Sequence, residues 1–225
     1  MSRLGFLDEK IIALRNEMRE QEKHELAQKE AALQENEQEP QQELQKIDLY
    51  QTFMMIDNQE VAVIDQCVLE GEITLRMPKL FSIMLPELAS LKYPSERRPT
   101  IIYTDESTTI NLAFNMTPHS LADTEVAEFQ ENMIDMLEQA QPSAEWLDTD
   151  VIDINDKTIG FLEVITPAID GDIYNLMFFA AIDGRALIGT FNCMEEDIET
   201  WRPIARAMME TLQFIPNGRN GGGRL

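Results

Sequence analysis

Residues 158–192 read TIGFLEVITPAIDGDIYNLMFFAAIDGRALIGTFN. Three apolar runs, 158–165, 173–182 and 186–192, are separated by Asp170-Gly171 and Asp183-Gly184. Asp and Gly tolerate the positive φ that hairpin tips require. In the middle run Tyr174, Leu176, Phe178 and Ala180 alternate with Asn175, Met177, Phe179 and Ala181, so both faces are largely apolar. Strands of that kind lie inside a sheet covered on both sides. Just upstream, residues 146–154 form another β-type run that ends at Asn155-Asp156. The four runs predict an antiparallel meander.

On either side of the meander the period changes. Val126, Phe129, Met133, Met136, Leu137 and Ala140 fall on one stripe of a helix over 123–140, with Asp123 or Thr124 to cap it and Pro142 beyond its end. Its other face, Glu125, Glu128, Glu131, Asp135 and Glu138, is expected to meet water. A closing helix carries Ile198, Trp201, Ala205, Met208 and Leu212 on its stripe, behind Glu195, Glu196 and Asp197, whose charges favour a helix N-terminus. Pro203 removes one backbone donor, which predicts a kink or restart. Ahead of the first helix, residues 53–56 and 61–68 flank Asp57-Asn58 as a hairpin. Further runs at 73–77 and 80–85 stop at Pro78 and Pro86, and 108–116 alternates as a half-buried strand. The class is α+β, with one antiparallel sheet flanked by two helices.

The ends differ in texture. Residues 1–47 are rich in Glu, Gln, Lys, Ala and Leu, a helix-favouring composition. Leu4, Leu7, Ile11, Leu14 and Met18 recur at spacings of three and four on one seam, which fades after Met18. That is an extended polar helix fitted to self-association or partner capture through Leu7, Ile11, Leu14 and Met18, ending in a linker around Pro40. Three parts are expected: a helix and linker over 1–47, the α+β domain over 48–215, and a flexible tail over 216–225.

Residues 73–78 (ITLRMP), 81–86, the helix from Asp123, Ile159-Gly160-Phe161, residues 174–181 and the Trp201 helix together resemble the PsbP-like sandwich. That fold is shared by photosystem PsbP subunits, bacterial DcrB-like lipoproteins, Ran-binding Mog proteins and chaperones for secreted effectors. The resemblance covers about two thirds of the chain and is topological. It implies a protein that works by binding other proteins. The absence of a lipobox cysteine near Met1 departs from the DcrB-like lipoproteins, and the N-terminal helix lies outside the common fold.

Charge narrows the partners. The 225 residues carry 41 acidic and 18 basic side chains, a formal charge of −23. Residues 1–47 hold 11 acids and 7 bases, leaving a net −19 on the remainder. Nucleic acids and anionic membranes bind through Lys and Arg, so both are disfavoured. No apolar run is long enough to span a bilayer and no secretory signal opens the chain, so the expected compartment is the cytoplasm. Cys67 and Cys193 read as reduced core thiols.

Catalytic and cofactor motifs are lacking. There is no GxSxG, GxxxxGK[ST], GxGxxG or HExxH, so no cofactor and no metal are expected. Asp148, Asp150, Asp153 and Asp156 miss the calcium-loop spacing at Ile152 and Asp153; Asp148 and Asp150 are expected on a solvent face. Met133, Met136, Met177, Met194, Met208 and Met209 either fill the core or line a plastic groove. Against the acidic background, Lys92, Arg97 and Arg98 cluster in a Pro-bounded loop suited to an acidic segment of a partner. The chain therefore reads as a non-enzymatic cytoplasmic protein-binding module, an adaptor or secretion-type chaperone. The alternatives are a hydrolase or metal-dependent enzyme using His119 with Asp170 and Asp172, and a structural component of an assembly.

Overall fold

A computed structural model describes residues 46–95 and 98–215. Leu7, Ile11, Leu14, Met18 and Arg97, the N-terminal helix and the tail lie outside the described residues.

The domain holds two antiparallel sheets rather than one. The smaller has the order β1-β2-β3-β11, from Phe53–Ile56, Gln59–Val68, Ile73–Pro78 and Gln213–Phe214. The larger has seven strands in the order β4-β5-β6-β10-β9-β8-β7. These are Ser82–Ile83, Ile101–Thr104, Asn111–Ser120, Arg185–Met194, Ile173–Ile182, Lys157–Thr166 and Glu145–Ile154. The meander is the run β7-β8-β9-β10, as its texture required. Asp57 and Asn58, Asn155 and Asp156, and Asp183 and Gly184 all take positive φ, the pattern of two-residue hairpin turns. At β7 the register shifts between Trp146 and Asp148, a bulge in this outer strand.

Three described helices pack on the sheets: α1, Pro86–Lys92; α2, Val126–Ala140; and α3, Ile198–Glu210. α3 shares one core with both sheets: Trp201, Ile204 and Met208 pack with Ile73, Leu75 and Met77 of the small sheet and Phe114, Phe178 and Phe191 of the large one. The Trp201 ring stacks on Phe191 with centroids 6.0 Å apart and meets Phe81 edge-on at 5.7 Å. Each such side chain contributes about 1.5–3 kcal/mol by leaving water. Thr211, after α3, accepts from the Arg76 backbone N–H at 2.9 Å and donates to the Met208 carbonyl, tying the helix end to β3. Gly189 is needed in β10 because a Cβ there would fall 2.0 Å from the Phe178 ring.

The opposite face of the large sheet is covered by α2 and α1. Phe129, Met133, Ile134 and Leu137 pack on Leu162, Val164 and Phe179, while Leu88 and Ala89 of α1 pack on Met84, Ile102 and Ala113. Each of these elements departs in detail from its expected form. The α2 stripe includes buried Gln130, whereas Met136 is 63% exposed. Gln130 substitutes for an apolar residue by donating to the carbonyls of Phe161 (2.5 Å) and Asp150 (3.1 Å), in the space left by Gly160. Residues 80–85 form only the two-residue strand β4, because Leu85 and Pro86 start α1, where proline's preset φ suits the first turn. β6 is buried on both faces at its start, with Asn111 satisfied by Thr104 and Asn192. α3 runs unbroken through Pro203. The methionines divide between the two sides of the sheet, with Met208 and Met209 among the core around α3 and Met133 and Met177 beneath α2, so they form no shared groove.

Candidate functional site

Two sets of acidic groups stand out, and they are built oppositely. The first is buried. Glu163 on β8 is fully enclosed, on the face that meets α3. Its Oε2 accepts from Arg202 Nε at 2.9 Å and Nη2 at 2.6 Å; its Oε1 accepts from Arg206 Nε at 2.6 Å and from the Tyr174 hydroxyl at 2.7 Å. Arg202 and Arg206 lie four residues apart on α3, so both side chains reach the same face. Arg206 also donates to Asp148 and lies 4.0 Å over the Phe161 ring. Asp148 stays on the exposed side of β7, as expected, and also reaches Arg206 at the margin of this cluster.

Burial by itself pushes the Glu163 carboxyl upward, but hydrogen bonds from Arg206 and Arg202 outweigh it and hold the group below its ordinary value of 4.5. Burial and the Glu163 charge push the Tyr174 phenol far up, so it stays a donor. A carboxylate whose oxygens already accept four bonds has little capacity left to move a proton or attack a substrate. The cluster fastens α3 to β8.

The second set is open to solvent. Asp57 at the β1–β2 tip, Asp105 and Glu106 after β5, and Asp197 ahead of α3 rim a groove of about 440 Å³. Its apolar lining includes Ile56, Val61, Leu80, Ile110 and Trp201. Asp105 shapes its own loop by accepting from the backbone N–H of Ser107 and Ile110, both at 3.1 Å. Burial, then the charges of Glu196, Asp57 and Asp105, raise the Asp197 carboxyl above its ordinary value. Asp197 makes no ion pair among the described residues.

Lys92 and Arg98 stand at the opposite ends of the segment joining α1 to β5. The Lys92 ammonium donates to the Thr108 carbonyl, and burial lowers its pKa against the pull of Asp105. Arg98 Nη1 donates to Ser90 Oγ at 2.5 Å. His119 lies near the end of β6, its ring 5.4 Å from Phe129. Ser120 pairs with Arg185, at the β9–β10 tip, whereas Asp170 and Asp172 precede the other end of β9. About ten residues of strand, roughly 30 Å, separate His119 from those carboxylates, so the three make no common site. Among the described residues no group of three or more His, Cys, Asp or Glu side chains is placed to hold a metal. Cys193 is buried, its thiol pushed up to about 12 by burial and then by Asp197, but Cys67 is exposed on the small sheet.

The fold is the PsbP-like sandwich. The solution structure of PsbP from the cyanobacterium Synechocystis matches at a TM-score of 0.51 and 10% identity, covering 68% of this chain and 92% of that one. Two weaker likenesses are LpqN of Mycobacterium tuberculosis, described as involved in cell envelope biogenesis (TM-score 0.47, 11% identity, 72% and 95% covered), and a Pseudomonas aeruginosa protein of unknown function (0.44, 18%, 68% and 98%). No family model and no curated relative matches the sequence. No helix among the described residues is long and apolar enough to cross a membrane.

Proposed function

We propose that the chain is a non-enzymatic, cytoplasmic protein-binding module, an adaptor or secretion-type chaperone that engages its partner through the surface around α1. One observation carries the proposal. Ile83, Leu85 and Leu91 are 60%, 68% and 79% exposed within nine residues, next to Lys92 and Arg98. Apolar side chains exposed along one short segment, whose helix carries Lys92 and holds Arg98 through Ser90, suit a partner segment that combines apolar and acidic residues. The saturated hydrogen bonding of Glu163 supports the same view, since the most deeply buried acid serves the scaffold. In the full chain, Leu85→Asp with Leu91→Asp is expected to abolish recovery of a crosslinked partner, and Arg98→Glu to reduce it severalfold. Undiminished recovery from the folded variants would remove the proposal.

Self-association is assigned to residues 1–47. Replacing Leu7, Ile11, Leu14 and Met18 together with Ser in the full chain should lower the mass measured by light scattering. An unchanged mass would withdraw that assignment.

A further inference from the structure

We propose that the groove between the Asp57-Asn58 turn, the loop after β5 and the start of α3 docks an extended cationic segment of another protein, an apolar side chain flanked by Lys or Arg. This goes beyond the α1 surface, whose exposed side chains are not part of the groove lining.

The volume and the lining set the size and kind of occupant. About 440 Å³ falls within the range of ligand pockets and accommodates an aliphatic side chain with its adjoining backbone. The lining offers half-buried Val61 and Leu80 as the seat, with the buried side chains of Ile56, Ile110 and Trp201 also in the wall. Trp201 cannot yield, because its other contacts are to Phe81 and Phe191 in the core.

The rim sets the charge. Carboxylates from three separate segments converge on one opening, and Asp197 feels only like charges among its principal neighbours. The ammonium of Lys92 donates to the Thr108 carbonyl and offsets part of the Asp105 charge, but it is not among the principal neighbours of Asp197. Cations brought by a partner would relieve that repulsion. Long-range forces act in the same sense: a chain of charge −23 attracts basic segments. A bare divalent ion is a poorer fit, since the acids do not converge within ligating distance.

The test uses the full chain and a fluorescently labelled peptide, acetyl-Lys-Arg-Leu-Arg-Lys-amide, followed by anisotropy. Saturable one-to-one binding is expected, weakening as salt is raised because rim charges are screened. Peptides with Ser for Leu, or with Glu and Asp for the cations, should bind at least about tenfold more weakly. Asp57→Asn with Glu106→Gln should weaken binding about tenfold, roughly threefold for each rim charge. Asn keeps the positive φ of 47° at position 57, and unchanged circular dichroism and melting would show that the fold is kept. Glu128→Gln with Glu131→Gln, the same change of charge on the exposed face of α2, should leave affinity unaltered. Absence of saturable binding, equal loss in both double variants, or full affinity in the groove variant would each overturn the proposal.

Discussion

Glu163 and Asp197 are both carboxylates near α3, and their surroundings could hardly differ more. Glu163 lies at the centre of two guanidinium groups and a phenol; Asp197 faces Glu196, Asp57 and Asp105. Among the described residues, Arg202 and Arg206, both largely buried, are set against Glu163, and no ion pair forms at Asp197. A charge taken out of water costs several kcal/mol unless it is paired, so the buried acid had to be matched. A rim acid keeps water on one side and can wait for a partner. The contrast separates acids that hold the fold from acids that leave a field for something else.

The buried cluster gives the largest expected effect. Glu163→Gln would leave Arg202 and Arg206 without their anion, and urea unfolding should show a loss of about 3–5 kcal/mol. Replacing all three with apolar residues of similar volume, Glu163→Leu, Arg202→Met and Arg206→Met, should recover most of it. If the single variant is as stable as the parent, the cluster does not hold α3.

Acid provides a smaller test of the same difference. Because the folded Glu163 carboxyl is held below 4.5, its contribution is complete above that pH. It is lost as pH falls through the lowered folded value. Thermal melting should therefore drop more steeply on acidification in the parent than in Glu163→Gln. Parallel curves would show that Glu163 does not govern the acid limb.

The smallest effect belongs to the groove. Asp197→Asn removes one of several like charges at a partly exposed site but also a charge favoured at the start of α3, so the two effects should nearly cancel and stability should change by no more than a few tenths of a kcal/mol. Any difference should shrink further in high salt. A marked destabilisation would mean that Asp197 has a structural partner.

Local chemistry explains what the sequence disclosed. Asp57-Asn58, Asn155-Asp156 and Asp183-Gly184 announce turns because few other pairs accept positive φ at both positions, and the two-sided apolar runs announce inner strands. The second sheet was hidden: β11 is two residues long and meets β3 across about 140 positions of chain. α1 was hidden by its seven-residue length and by a proline that could equally end a strand. The Glu163 cluster had left a trace. A lone acid inside TIGFLEVI asks for a cation, and Arg202 and Arg206, four apart on a helix, supply it. The groove left no trace, for Asp57, Asp105 and Asp197 are joined only by folding.

The bulged outer strand β7 also bears on how these molecules meet one another. A ten-residue border with unpaired amides invites a neighbour to extend the ladder. Here Asp148, Asp150 and Asp153 recur along it, and the kink at Trp146 spoils its straightness. A second copy approaching side-on would find negative facing negative along a bent seam. Lateral fibre growth is discouraged at that margin, at concentrations where a flat, neutral border would begin to stick.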